Sequence, residues 1–184
     1  MLEIYLRRGE IVLKKINNIV IHCSDSNFGD AALIDKWHKE KGWLGIGYHY
    51  VILNGMPKAG KPDPKLDGVI QAGRSLDNDT WIDGNEVGAH ALGFNDNSIG
   101  ICLIGGQGGS KTAFTINQYF SLLLMVGRWK QQIRDLKVLG HNETGAAKAC
   151  PVINMDLFRE RLTAFLEGSL SRALLKIDIE KRGV

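Results

Sequence analysis

Short apolar runs alternate along the chain with longer segments of helical periodicity. The runs are rich in β-branched residues and are bounded by glycine, asparagine and serine, a pattern typical of strands. Four of them occupy residues 17–23 (NNIVIHC), 46–53 (IGYHYVIL), 98–104 (SIGICLI) and 136–141 (LKVLGH). A shorter run at residues 68–73 is predicted to pair back on the second strand, because Asn54-Gly55 is a hairpin signal.

Three helices are predicted from capping residues and apolar spacing. Asp30 can cap a helix from residue 31 to about residue 41, where Gly42 stops it. Thr115 with Gln118 forms a capping-box pattern that opens the longest helix, which continues to about residue 132. The last of the three begins at Asn154 and places apolar residues on one face. The tail after residue 168 is either a further packing helix, which we favour, or a partly ordered extension.

Interleaved strands and helices predict an α/β fold, with a central mixed sheet flanked by helices. A chain of 184 residues with 44% hydrophobic content suits one globular domain. The net charge of +3 suits an anionic polymer as a partner, but no cluster of lysine and arginine repeats with aromatic residues. We therefore expect no nucleic-acid partner.

Compartment signals are sparse. No apolar run approaches the length of a membrane span. Charged residues interrupt the apolar positions of residues 1–15, so we expect no signal peptide and synthesis in the cytoplasm. Three cysteines, an odd and small number, argue against a disulfide framework.

Residues 105–112 (GGQGGSKT) resemble the phosphate-binding loop G-x-x-x-x-G-K-[ST]. Ser110 stands where the second glycine is required, and the helix begins only after Lys111 rather than at it. A flexible turn between a strand and a helix is the better interpretation, and we expect no nucleotide site.

The histidines and cysteines offer a different chemistry. His22 lies at the end of the first strand, His141 closes the fourth run, and Cys150 follows nine residues later. A catalytic zinc ion needs three protein ligands and one position open to solvent, and residues at strand ends can converge on one ion. Only one of His22 and Cys23 can face that ion, because neighbouring strand residues point to opposite faces. If His22 does, Cys23 joins the core.

The other thiol and a helical histidine are assigned structural places. Cys102 lies inside a strand and is predicted to be a small buried hydrophobe. His38 lies among charged residues in the first helix and is predicted to be a solvated surface histidine. Spacing alone makes the zinc site a weak hypothesis, since a strand histidine is more often a hydrogen-bonded core residue.

Four motifs in this order resemble the phage-type N-acetylmuramoyl-L-alanine amidases, whose fold is shared with peptidoglycan-recognition proteins. They are IVIHCS, WHKEKGWLGIGYHYVI, GAHALGFNDNSIGICLIGG and HNETGAAKACP. The resemblance implies a zinc amidase domain at residues 16–167, with extensions at 1–15 and 168–184. It implies one zinc ion held by His22, His141 and Cys150, the same three residues that strand ends and spacing suggest.

The resemblance also implies roles for three further residues. Tyr48 and Lys148 would be catalytic, and His90 would line the substrate cleft, with a hydrogen-bonding role in a turn as its alternative. Strand alternation places Tyr48 on the same face as Tyr50, so the two could be confused, and the resemblance favours Tyr48. His49 would point the opposite way and is predicted to be structural.

The implied activity is hydrolysis of the amide bond between N-acetylmuramic acid and L-alanine in peptidoglycan. We expect a monomeric phage or prophage endolysin, released to the cell wall by a separate membrane-permeabilising protein. Two alternatives stay open at this point. One is a wall-binding module without catalysis, which the presence of Cys150 disfavours. The other is an amidase with an added role as inhibitor of a phage RNA polymerase, which nothing in the sequence decides.

Overall fold

The computed structural model describes residues 13–77, 79–106, 108 and 114–183. Most of the first extension, residues 1–15, lies outside that range. So does most of the glycine-rich stretch 105–112, which was predicted to be a flexible turn. The strands are β1 (Lys14–Lys15), β2 (Asn18–Cys23), β3 (Tyr50–Asn54), β4 (Asp67–Ala72), β5 (Trp81–Ile82), β6 (Ser98–Leu103) and β7 (Lys137–Gly140). The α-helices are α1 (Ala31–Glu40), α2 (Ile116–Gln132), α3 (Met155–Leu166) and α4 (Arg172–Arg182).

Five strands form the central sheet in the order β4-β3-β6-β2-β7. The β3, β6, β2 and β7 strands are parallel to one another, and β4 runs antiparallel to β3. The predicted mixed sheet is confirmed. The two-residue strands β1 and β5 pair separately, and the sequence pattern did not predict them because they are too short to show a period.

Helices cover both faces of the sheet, as predicted. Alternate residues of β2 and β6, such as Ile21 and Ile101, pack into the larger apolar cluster beneath α2, α3 and α4. The opposite face, with Val51 and Cys102, packs against Ile34 of α1. Cys102 is fully buried, which confirms its prediction as a small core residue.

The helix starts follow from local capping chemistry. Asp30 accepts a hydrogen bond from the backbone N–H of Leu33, and Asn154 accepts one from that of Leu157. Thr115 and Gln118 form the reciprocal capping box. Each cap satisfies backbone donors that the first helical turn leaves unpaired, which is why the sequence locates these boundaries well.

The predicted strand at residues 46–53 is wrong in its first half. Regular pairing begins only at Tyr50, because residues 46–49 bond to several separate segments instead of one ladder. His49 donates its backbone N–H to Gly100, and Tyr48 accepts from Arg74. The expectation that Tyr48 and Tyr50 share a face is also wrong. Tyr48 packs against the α1 cluster, whereas Tyr50 packs on the opposite face.

The tail folds as the packing helix α4. Leu175 of α4 is fully buried, and Arg161 of α3 forms an ion pair with Asp178. No helix among the described residues is long and apolar enough to cross a membrane.

Candidate metal centre

The candidate ligands meet at the carboxyl edge of the parallel strands. Ile21 of β2 is paired with Gly140 of β7, so the next residues, His22 in β2 and His141 just after β7, lie side by side. Their ring centroids lie 4.5 Å apart. Ligand sites of open α/β sheets form at this edge, where loops leave neighbouring strands.

Cys150 reaches the same place because its loop closes on itself. The backbone N–H of Asn142 donates to the carbonyl of Cys150 over 2.7 Å, which ties the two ends of residues 141–150 together. A second contact orients the sulfur, since the backbone N–H of Cys23 lies 3.3 Å from the Cys150 Sγ atom. Cys150 Sγ is 3.9 Å from Nδ1 of His22.

The three residues fit a zinc ion. Their ligand atoms all lie within 4.8 Å of one another. Ligand atoms of one tetrahedral zinc ion are about 3–4 Å apart, given zinc–ligand bonds of roughly 2.0–2.3 Å. His22 is buried, while His141 and Cys150 are half-buried, so one side of the site faces solvent. Two imidazoles and a thiol are a donor set that suits zinc.

Burial and nearby cations keep the imidazoles neutral. Burial is the main reason that the pKa of His22 lies well below its usual value. The charges of His90, His141 and Lys148 lower it further. Burial and then Lys148 lower the pKa of His141. A neutral imidazole has the free lone pair that a metal ion requires. The side-chain hydrogen bond with Cys23 and then burial raise the pKa of Cys150, so a bound cation would have to displace its proton.

Tyr48 and Lys148 both lie beside this cluster. The Tyr48 ring centroid is 5.0 Å from that of His22, and burial raises the pKa of its phenol well above the usual value. Tyr48 therefore stays protonated and can act as a hydrogen-bond donor. Lys148 is exposed, and its ammonium group acts on the pKa of both histidines.

His90 lies behind His22 rather than beside the open side of the cluster. Its Nδ1 atom is 3.0 Å from Nε2 of His22, and the residue is buried. His49 is fully buried, and its Nε2 donates to the carbonyl of Glu86 while its Nδ1 accepts the N–H of Gly100. It is structural, as predicted. Whether His90 also contacts substrate stays a prediction.

The prediction for His38 is wrong. His38 is only 7% exposed, and its Nδ1 accepts the backbone N–H of Gly47 over 3.0 Å. Its ring packs between Trp43 and Tyr48, with centroids 4.5 and 5.4 Å away. The charged neighbours on α1 suggested exposure, but the chain after the helix folds back over this residue and covers it.

Two further features near the ligands were not predicted. Cys23 packs against the core as expected, yet its thiol also contacts Cys150. Glu143 accepts the backbone N–H of Gly140 over 2.8 Å and both terminal nitrogens of Arg159 at 3.0 Å, which fixes the turn that carries His141. An acidic residue two positions after a candidate histidine ligand is the signal that could have indicated this support.

The chain is similar in sequence and fold to amidases, phage endolysins and peptidoglycan-recognition proteins. A family model described as N-acetylmuramoyl-L-alanine amidase matches residues 13–152. The endolysin of Escherichia phage T7 is 35% identical over 150 residues, which cover 78% of this chain and 85% of the relative. The endolysin of Klebsiella phage KP32 is 31% identical over 154 residues, covering 80% and 88%.

Solved structures agree with the fold. The N-acetylmuramoyl-L-alanine amidase LysC from Clostridium intestinale URNW superposes with a TM-score of 0.61 at 25% identity, covering 81% of this chain and 86% of that one. Bumblebee PGRP-SA, at 20% identity, has the same fold with a TM-score of 0.56 over 82% of this chain and 83% of its own. The extent of the family match and the phage relatives establish that the chain belongs to the N-acetylmuramoyl-L-alanine amidase family.

Proposed function

We propose that this protein is a zinc-dependent endolysin that hydrolyses the amide bond between N-acetylmuramic acid and L-alanine in peptidoglycan. Family membership supports the amidase activity, and the phage relatives support a role in degrading the cell wall. The observation that carries the zinc dependence is the convergence of His22, His141 and Cys150 within 4.8 Å.

The three ligands would hold one zinc ion at the edge of the sheet. When bound, zinc polarises a carbonyl group and lowers the pKa of a coordinated water molecule. Lys148 is exposed and its charge lowers the pKa of both candidate histidine ligands, so it would stabilise the negative oxygen that develops on the scissile carbonyl. Tyr48 would orient the attacking water or the substrate through its protonated hydroxyl.

Each role follows from the position of the group. The Lys148 side chain is exposed, so a large polymeric substrate can reach it. The Tyr48 ring contacts the rings of both His22 and His38, with centroids 5.0 and 5.4 Å away. A phenol with a raised pKa keeps its proton at neutral pH, so Tyr48 can donate a hydrogen bond but cannot act as a base.

The test combines metal analysis with a lysis assay. Purified protein should contain one zinc ion per chain, clear a peptidoglycan suspension, and release new L-alanine amines. Cys150→Ala should lose both zinc and lysis, whereas Thr163→Ala, at an exposed position of α3, should retain both. Clearing of peptidoglycan by Cys150→Ala after chelator treatment would refute the zinc mechanism.

We further propose that the protein acts as a monomer and reaches the wall through a separate membrane-permeabilising protein. The polymerase-inhibitor alternative stays a prediction, since no observation on the described residues favours it. Retention of the protein on immobilised phage RNA polymerase would support that added role.

A further inference from the structure

The two ring nitrogens of His22 face different environments. Nδ1 faces the candidate metal site, 3.9 Å from the sulfur of Cys150. Nε2 faces the protein interior, 3.0 Å from Nδ1 of His90. The two imidazoles meet at a steep angle, with ring planes 83° apart, so the edge of one ring points at the other.

Metal binding by His22 would fix the direction of this hydrogen bond. A ligating nitrogen must carry no proton, so a neutral His22 that ligates through Nδ1 keeps its proton on Nε2. That proton can only be donated to Nδ1 of His90. His90 must then carry its own proton on Nε2, which lies 3.5 Å from the hydroxyl oxygen of Ser98.

The polar chain ends on the backbone. The Ser98 hydroxyl donates to the carbonyl of Phe94 over 2.6 Å. Its oxygen is therefore free to accept a proton donor from the side of His90. Every group from His22 to Phe94 then has one consistent role as donor or acceptor.

The His90 ring is held firmly in this position. A β-carbon built on Gly88 would lie 2.5 Å from the ring, and one on Gly100 would lie 2.6 Å from it. Only glycine at these two positions leaves room for the imidazole. The backbone N–H groups of His90 and Ala91 both donate to the Asn95 side chain over 2.8 Å, which fixes the chain that carries the ring.

We infer that His90 is a positioning residue for the candidate zinc site: it accepts the Nε2 proton of His22, selects the tautomer whose Nδ1 is free, and fixes the direction of that lone pair. This inference rests on the proposed function, because it assumes that His22 is a ligand. It differs from the substrate-binding role that the family resemblance implies. Both ring nitrogens of His90 face protein groups, and the residue is only 8% exposed.

Loss of such a partner weakens metal binding by a measurable amount. Partners that hydrogen-bond to a ligating histidine typically contribute about 10–100-fold in metal affinity. We therefore expect His90→Leu, which fills the space without an acceptor, to raise the zinc dissociation constant by about 10–100-fold. His90→Asn places an amide oxygen near the former Nδ1 position and should recover most of that loss.

Zinc affinity is measured with zinc alone, by competition with a chromophoric chelator, in the absence of substrate. Ser98→Ala removes the last side chain of the polar chain and should weaken zinc less than His90→Leu does. If His90→Leu binds zinc as tightly as the wild type and instead raises KM for peptidoglycan, His90 is a substrate contact and the inference is overturned. Thermal unfolding of each variant separates loss of affinity from loss of fold.

A second measurement uses the unmutated protein. Nitrogen-15 NMR of the metal-free chain should show His22 protonated at Nε2 and bare at Nδ1, with a scalar coupling between His22 Nε2 and His90 Nδ1. A His22 protonated at Nδ1, or the absence of that coupling, would overturn the inference whatever the variants do. If the wild type binds no zinc while the coupling is present, the proposed metal dependence fails and the positioning of His22 by His90 stands.

Discussion

The C-terminal helix α4 should be a stabilising part of the domain, and Asp178→Asn tests this directly. Arg161 of α3 is 1% exposed, and its Nε atom donates to the carboxylate of Asp178 over 2.5 Å. One of its terminal nitrogens donates to the carbonyl of Gly183, and its guanidinium lies 5.2 Å above the Tyr119 ring. Asp178 is the acidic partner of Arg161 and also pairs with the exposed Arg182 of its own helix.

The size of the effect follows from the burial of Arg161. Removing one partner of a buried pair leaves an uncompensated charge and costs about 3–5 kcal/mol. Glu160→Gln is the matched control, because it removes an exposed pair with Arg182 on the same two helices and leaves both ion pairs of Asp178 in place. An exposed pair contributes at most about 1 kcal/mol. The double variant Arg161→Met with Asp178→Leu should be more stable than Asp178→Asn, since it removes the buried charge as well as its partner.

Urea unfolding followed by circular dichroism measures these differences as free energies of unfolding. We expect a loss for Asp178→Asn that is several times larger than that for Glu160→Gln, with little change in the dependence on urea. Equal losses in the two variants would show that α4 does not hold the buried arginine in solution. The packing-helix interpretation of residues 168–184 would then be wrong.

Two further predictions concern histidine protonation and catalysis. Burial lowers the pKa of His49 to about 4, below the value of about 6.5 in the unfolded chain. The unfolded state therefore binds the proton first as pH falls. Neutral His49 contributes roughly 3 kcal/mol to the free energy of unfolding above pH 6.5. This contribution is lost between about pH 6.5 and 4. Unfolding measured across this range should have a flatter pH dependence in His49→Gln, and an unchanged slope would contradict the assignment. Lys148→Ala should retain zinc and lose on the order of 100-fold in turnover. Lys176→Ala on α4 is the control and should keep full activity. Full activity in Lys148→Ala would show that Lys148 is only a solvated side chain.

The parts of the fold that the sequence predicted well depend on local chemistry. Caps at Asp30, Thr115 and Asn154 bond to residues three positions away, so a short window contains all the relevant atoms. The start of β3 was mispredicted because its boundary depends on which distant segments accept the hydrogen bonds of residues 46–49. His38 failed for the same reason, because Gly47 covers it only after the chain turns back.

Residue type and position at strand ends suggested the candidate ligands but left His22 and Cys23 as alternatives, and the family resemblance favoured His22. The groups that support them were beyond reach of the same reasoning. The Cys23 backbone acts on Cys150 from 127 positions away, and His90 meets His22 across 68 positions. A histidine that ligates and one that orients a ligand have the same side chain, and only the partners of each ring nitrogen separate them.

The order of strands in the sheet is what converts separate motifs into one candidate site. Strands β2 and β7 are far apart in sequence but adjacent and parallel, and their pairing sets Ile21 against Gly140. Since neighbouring parallel strands end at one edge, His22 and His141 emerge together, and the tied loop then returns Cys150 to both. A slip of one residue in this register would turn His22 to the opposite face of β2, towards the α2 cluster. The buried side chains on both faces of β2 oppose such a slip, so the packing of the core also secures the geometry of the ligands.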